Sequence, residues 1–66
     1  MKLIINGQER DFPDRTDGQA LFEALGLRPT AVVVELNGEI IPKAKFPTQE
    51  LRDGDVLEMV TVVGGG

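Results

Sequence analysis

The residues with the most distinctive chemistry lie at the end of the sequence. A β-forming run, Val56 to Val63, is followed at once by Gly64-Gly65-Gly66. Glycine has no Cβ, so such an end is slim and conformationally free. Extended, residues 63–66 reach about 13 Å, enough to enter a narrow channel in another protein. The group delivered would be the Gly66 carboxylate, ionised at neutral pH and therefore a poor electrophile. The chemistry open to it is acyl transfer. Adenylation by ATP supplies a leaving group, and a sulfur nucleophile can then displace it to leave a thiocarboxylate. A terminal glycine run is also what a frayed end looks like, so the tail alone does not decide the matter.

Other candidate constellations are weaker. The chain has no Cys and no His, which removes the thiolate nucleophile, thiolate metal ligands and the commonest general base. Asp53 and Asp55 flank Gly54 and could pass for paired catalytic carboxylates, but an acidic turn accounts for them. Asp14-x-x-Asp17-Gly18 has some of the spacing of a calcium loop. Pro13 and Arg15 occupy ligand positions, however, and Ala24 stands where the closing Glu belongs. No metal site is expected. Lys43 and Lys45 beside Phe46 read as a solvated loop. Phe12, Phe22 and Phe46 read as core or lid residues, not as a base-stacking platform.

The elements that would carry the tail can be placed from local signals. Met1 to Ile5 and Gln8 to Phe12 form a hairpin about Asn6-Gly7. Thr16-Asp17-Gly18-Gln19 resembles a capping box, with Thr16 as cap. Leu21, Phe22 and Leu25 give the stripe of a short helix over about 17–25, ended by Gly26 and Pro29. Ala31 to Leu36 is a strong strand, and Asn37-Gly38 turns it into Glu39-Ile40-Ile41, which Pro42 confines to a sheet edge. Residues 43–50 are irregular, with Phe46 as anchor, and 51–55 form a turn before the last strand.

Alternation assigns faces. Met1, Leu3, Ile5, Val32, Val34, Leu36, Leu57 and Met59 point toward the helix. Ile4, Val33, Val60 and Val62 point away, and should form an apolar strip on the open face bordered by Glu35 and Glu58. An apolar patch rimmed by charge fits a docking surface.

Bulk properties limit the alternatives. Sixty-six residues make one domain with one modest core, too small to wall a deep enzyme cleft. The net charge of −4 argues against nucleic acid as a partner and suits a basic docking surface. Strand-like sequence begins at Met1 with no signal peptide, and no apolar run could span a membrane. The expected location is the cytoplasm.

Several segments together resemble the ThiS family of sulfur carriers of thiamin thiazole biosynthesis. They are Met1 to Gly7, Leu21-Phe22-Glu23-Ala24-Leu25-Gly26-Leu27, Val34 to Pro42, Leu51 to Glu58 and the closing Val63-Gly64-Gly65-Gly66. Two positions depart from the family pattern. Phe46 stands where Trp is frequent, and Gly18 stands where a small apolar residue is common, which should weaken that helical turn by up to about 1 kcal/mol.

The resemblance implies an α+β, ubiquitin-like β-grasp fold, a mixed four- to five-stranded sheet packed on one main helix. It implies a domain over 1–63 and a flexible tail over 64–66. Its Gly-Gly end maps onto Gly65 and Gly66. A ThiF-like adenylating enzyme would use ATP to activate Gly66, with no cofactor bound by the carrier itself. A cysteine desulfurase or rhodanese-like protein would supply sulfur, and thiazole synthase would accept it. The chain would then be a co-substrate and not an enzyme. Relatives serving molybdopterin synthesis or tRNA thiolation share fold and tail, and a ubiquitin-like interaction module without terminal chemistry is the reading from another class.

Overall fold

The structure, a computed structural model, describes residues 1–61, the Pro29 side chain excepted. Five strands surround one helix: β1 Lys2–Ile5, β2 Gln8–Asp11, α1 Gly18–Leu25, β3 Val32–Leu36, β4 Glu39–Ile41 and β5 Val56–Thr61. Short 3-10 helices, Pro29–Ala31 and Phe46–Thr48, fill two connections. The expected sheet domain to residue 63 and tail over 64–66 extend beyond the described residues.

Both Asn-Gly pairs make the expected hairpins. Asn6 and Gly7 have φ of 49° and 82°, and Asn37 and Gly38 have 50° and 87°, the positive values that two-residue turns of this kind require. The strand order is β2-β1-β5-β3-β4. The β1–β2, β3–β4 and β3–β5 pairs are antiparallel, and β1–β5 is parallel. The last strand in sequence is therefore central in the sheet. The two edges are managed differently: β2 is wholly exposed and polar, while β4 is three residues long and stopped by Pro42.

One face of the sheet is closed by α1 and the 3-10 turn at Phe46. Leu3, Ile5, Val32, Val34, Leu57 and Met59 are buried there against Leu21, Phe22 and Phe46, as the alternation predicts. The Phe22 and Phe46 rings stack at 4.8 Å with a 40° tilt. Phe46 is 1% exposed, so the irregular segment is anchored as expected.

The helix start differs from its expectation in two ways. The cap is Asp17, whose Oδ1 accepts from the Ala20 N–H at 2.9 Å. Thr16 is instead buried, and its hydroxyl donates to the Pro13 carbonyl at 2.7 Å. Both residues are competent caps, and the tertiary bridge between Asp17 and Glu50 selects the later one. Gly18 is not a weak link either. A Cβ placed on it would lie 1.8 Å from the Phe46 carbonyl oxygen and 2.8 Å from its ring, while its N–H donates to the Gln49 carbonyl. The two positions that depart from the family pattern are thus in contact, and the bare glycine lets the 3-10 turn press onto the helix. At the other end Gly26 adopts φ 69° and caps the helix as expected, with its N–H donating to Glu23 and that of Leu27 to Phe22.

Two asparagine side chains tie the hairpin turns to the central strand. Asn6 accepts from the Met59 N–H at 2.7 Å through Oδ1 and donates to the Met59 carbonyl at 3.1 Å through Nδ2. Asn37 accepts from the Val56 N–H at 2.9 Å through Oδ1.

Two substitutions test these contacts. Gly18→Ala should destabilise the fold by about 2 kcal/mol, because a backbone carbonyl must move. Helix propensity alone assigns the opposite sign. Asn6→Gly keeps the turn's φ but removes both Met59 bonds, and should cost about 1–2 kcal/mol. Urea unfolding midpoints at constant m-value read both effects.

Candidate functional site

The open face of the sheet is laid out by register. In the antiparallel β3–β5 pair, Val33 lies opposite Val60 and Glu35 opposite Glu58. The two-residue turn sets Ile40 of β4 opposite Glu35. On the other side of β5, the parallel pairing sets Ile4 opposite Val56. The face therefore consists of rows crossing the strands. One row is Ile4 and Val56, the next is Glu58, Glu35 and Ile40, and the third is Val60 and Val33.

This layout supports the assigned faces and corrects the continuity of the strip. Ile4, Val33, Glu35, Glu58 and Val60 all lie on the open face. Val33 is 38% exposed and Val60 63%, whereas Ile4 is half-buried. The glutamate row does not border the apolar strip; it divides it. Ile4 is paired with Val56, and Val60 lies four residues further along β5, about 13 Å at the strand rise. The parallel β1–β5 register is a long-range pairing that no local turn specifies, so the sequence pattern could not set it. Val62, Gly64, Gly65 and Gly66 lie outside the described residues.

Two residues of this face were not anticipated. Val56 is 39% exposed and Ile40 69%. Both were reachable: Val56 shares the parity of Glu58 and Val60, and a two-residue turn at Asn37-Gly38 obliges Ile40 to face Glu35.

Four aspartates elsewhere are engaged in holding the backbone. Asp53 Oδ1 accepts from the Lys2 N–H, while the Gly54 N–H donates to the Lys2 carbonyl. Asp55 accepts from the Asn37 side chain at 3.0 Å and from the Arg52 N–H at 2.7 Å. Asp17 caps the helix, and Asp14 pairs with the N-terminal ammonium at 3.3 Å. These bonds support the turn and cap readings over paired catalytic carboxylates or a calcium loop. Lys43 donates to the Thr30 carbonyl at 3.0 Å, again a loop contact. Among the described residues, no three His, Cys, Asp or Glu side chains converge to hold a metal ion.

Glu35 and Glu58 are placed differently. They face each other directly across β3 and β5, both exposed, and neither takes part in an ion pair among the described residues. Like charges directly opposed on a sheet are destabilising. The arrangement suits a face that receives cationic side chains between two small apolar surfaces.

Comparison with known proteins places this geometry in a family. The sequence model of the ThiS family matches residues 3–66. A sulfur carrier protein ThiS from Bacillus subtilis is 40% identical over 65 residues, covering 97% of this chain and 98% of that protein. A thiazole synthase from Paramagnetospirillum magneticum is 46% identical over the whole chain, which spans only 20% of that enzyme's length. The crystal structure of the thiamine biosynthesis protein ThiS from Geobacter metallireducens superposes with a TM-score of 0.83 at 32% identity, each chain covered completely. With its five-stranded mixed sheet, single helix and β-grasp architecture, the chain belongs to the ThiS family.

Proposed function

We propose that the chain is a sulfur carrier for the thiazole-forming step of thiamin biosynthesis, with the Gly66 carboxyl group as its working end. The observation that carries this reading is the near end-to-end likeness to the sulfur carrier protein ThiS of Bacillus subtilis. The β-grasp domain serves as a handle that presents the Gly66 carboxyl group to its partners. A ThiF-like enzyme attaches AMP from ATP to the Gly66 carboxyl, releasing pyrophosphate. The outer sulfur of a persulfide on a cysteine desulfurase or rhodanese-like donor then displaces AMP to form an acyl disulfide, and a second thiol reduces its S–S bond, releasing the Gly66 thiocarboxylate and leaving a disulfide between the two thiols. The carrier binds no cofactor and catalyses none of these steps. Its location is the cytoplasm; no helix among the described residues is long and apolar enough to cross a membrane.

Thiazole synthase is the accepting partner. Likeness to a fifth of a thiazole synthase supports this, because a carrier-like segment within the enzyme's own chain holds the two functions at high effective concentration. The divided open face is the docking surface. Val60 and Val33 bury apolar area near the base of the tail, and Ile4 with Val56 does so further off. Between them the Glu35–Glu58 pair meets a partner cation, which relieves the repulsion of the free state.

Intact-mass measurement after incubation with the adenylating enzyme, ATP and a sulfur donor should show one oxygen replaced by sulfur at Gly66. Removal of Gly65 and Gly66 should abolish that conversion and leave the unfolding midpoint unchanged. Persistent function of the truncated chain would reassign it as an interaction module. The charge pair has its own signature. Glu58→Lys should stabilise the free domain by up to about 1 kcal/mol at low salt, an effect that fades at high salt. The same variant should bind the adenylating enzyme more weakly, so stability and docking move in opposite directions.

A further inference from the structure

We infer that the β1-side edge of β5 at Thr61 is a strand-addition site, occupied by an extended segment of thiazole synthase that directs the chain leaving the sheet. The inference rests on the carrier reading above. Its basis is the hydrogen-bond direction along β5. In the antiparallel pair with β3, the Val56 groups face β3, with its carbonyl accepting from Asn37 N–H at 2.8 Å. Alternate residues face the other way. The Leu57 carbonyl accordingly accepts from the Asn6 N–H at 2.9 Å, and Met59 is bonded through both backbone groups to the Asn6 side chain. By the same alternation the N–H and C=O of Thr61 face the β1 side.

Nothing among the described residues meets them there. β1 ends at Ile5, and Asn6-Gly7 turns the chain back into β2. The Asn6 side chain stands in for one more residue of β1, opposite Met59, and the ladder stops. One step further β5 still pairs with β3, since Val32 lies opposite Thr61, so the strand is held on one side and open on the other.

The missing strand has a place to put a side chain. A notch of about 280 Å³ at Thr61 is lined by Leu25, Leu27 and Met59 together with Asn6 and Arg10. Thr61 shares the parity of Leu57 and Met59, which face the helix. The residue of an added strand paired with Thr61 turns its side chain to the same face, into the notch. Leu25 and Leu27 are only half-buried there, and Arg10, whose guanidinium lies 5.9 Å from the Phe12 ring, is in no ion pair among the described residues. The occupant is therefore an extended peptide with an apolar residue opposite Thr61 and a carboxylate beside it for Arg10. Backbone pairing supplies affinity and the notch supplies selectivity, as in other strand additions. In sequence Val62 and Val63 alone separate Thr61 from the glycines, so a strand bound here sets the direction in which the chain leaves Thr61.

The test uses the full chain, 15N-labelled, with thiazole synthase of the same host. Saturating enzyme should slow exchange of the Thr61 amide by about tenfold or more, the worth of one hydrogen bond. Thr61→Pro removes an N–H that the β3 pairing does not use, at a position where proline is tolerated. It should raise the Kd by about tenfold with the unfolding midpoint little changed. Arg10→Glu, on the exposed rim, should also weaken binding and carries no risk to the core. Tight binding with unchanged Thr61 exchange overturns the inference, as does binding indifferent to both substitutions. Wild-type chain that acquires the thiocarboxylate but does not bind thiazole synthase overturns it too, while leaving the carrier reading intact. Failure to acquire the thiocarboxylate with its activating enzyme, ATP and sulfur donor removes the carrier reading, and the inference with it.

Discussion

The fold depends on the double pairing of β5. This strand comes last in sequence and lies between β1, to which it runs parallel, and β3, to which it runs antiparallel. Without it the molecule is two separate hairpins and a helix, none of which buries enough surface to persist alone. With it, Leu57 and Met59 complete the floor under α1, and the chain beyond Thr61 departs from the middle of the sheet instead of an edge. The parallel contact is the more demanding of the two, because it joins residues over fifty positions apart and so carries a large loop-closure entropy. Further hydrogen bonds reinforce it: the Asn6 side chain extends β1 to Met59, and the Asp53 carboxylate with the Gly54 N–H fastens the start of β5 to Lys2.

Much of this was legible because it is local. Two Asn-Gly pairs fix two hairpins through positive φ, and Gly26 ends the helix for the same reason. Strand parity then separates core from open face, since one buried side leaves no freedom of register within a hairpin. The features that escaped are those decided by contacts distant in sequence. Gly18 reads as a poor helix residue until Phe46 is seen against it. Thr16 reads as the cap until Glu50 is seen bridging to Asp17. The division of the apolar strip follows from the β1–β5 register, which no turn dictates. The glycine tail, by contrast, is legible only as sequence: its proposed role is chemical, and it lies outside the described residues.

Two groups of carboxylates play different parts. Asp14, Asp17, Asp53 and Asp55 each accept a bond from a backbone N–H, the N-terminal ammonium or an asparagine side chain, and hold turns or a helix end in place. In a domain with one small core and no disulfide, such bonds supply order that packing alone does not. Glu35 and Glu58 accept none among the described residues and oppose each other at the centre of the sheet. A cross-strand pair of opposite charge would stabilise the same position. An arrangement that lowers the stability of the isolated domain is consistent with a gain made elsewhere, in a complex, where a cation can sit between the two.

A carrier of this kind must satisfy two opposed requirements. Its end must be slender enough to enter an active site, yet each partner must recover the same end in the same orientation. A tripeptide of glycine meets the first requirement and by itself defeats the second, because its conformational freedom makes ordering costly. That cost falls if order is propagated from the last well-held residue outward. Thr61 stands just past that residue: it lies opposite Val32 of β3, but its backbone groups face the other side, where Asn6 stops the ladder one step short of them. Had β1 been two residues longer, the Thr61 edge would be closed and the exit direction built into the domain. On the proposed reading, the early turn at Asn6-Gly7 leaves that direction to be supplied from outside, so one fold can serve more than one partner.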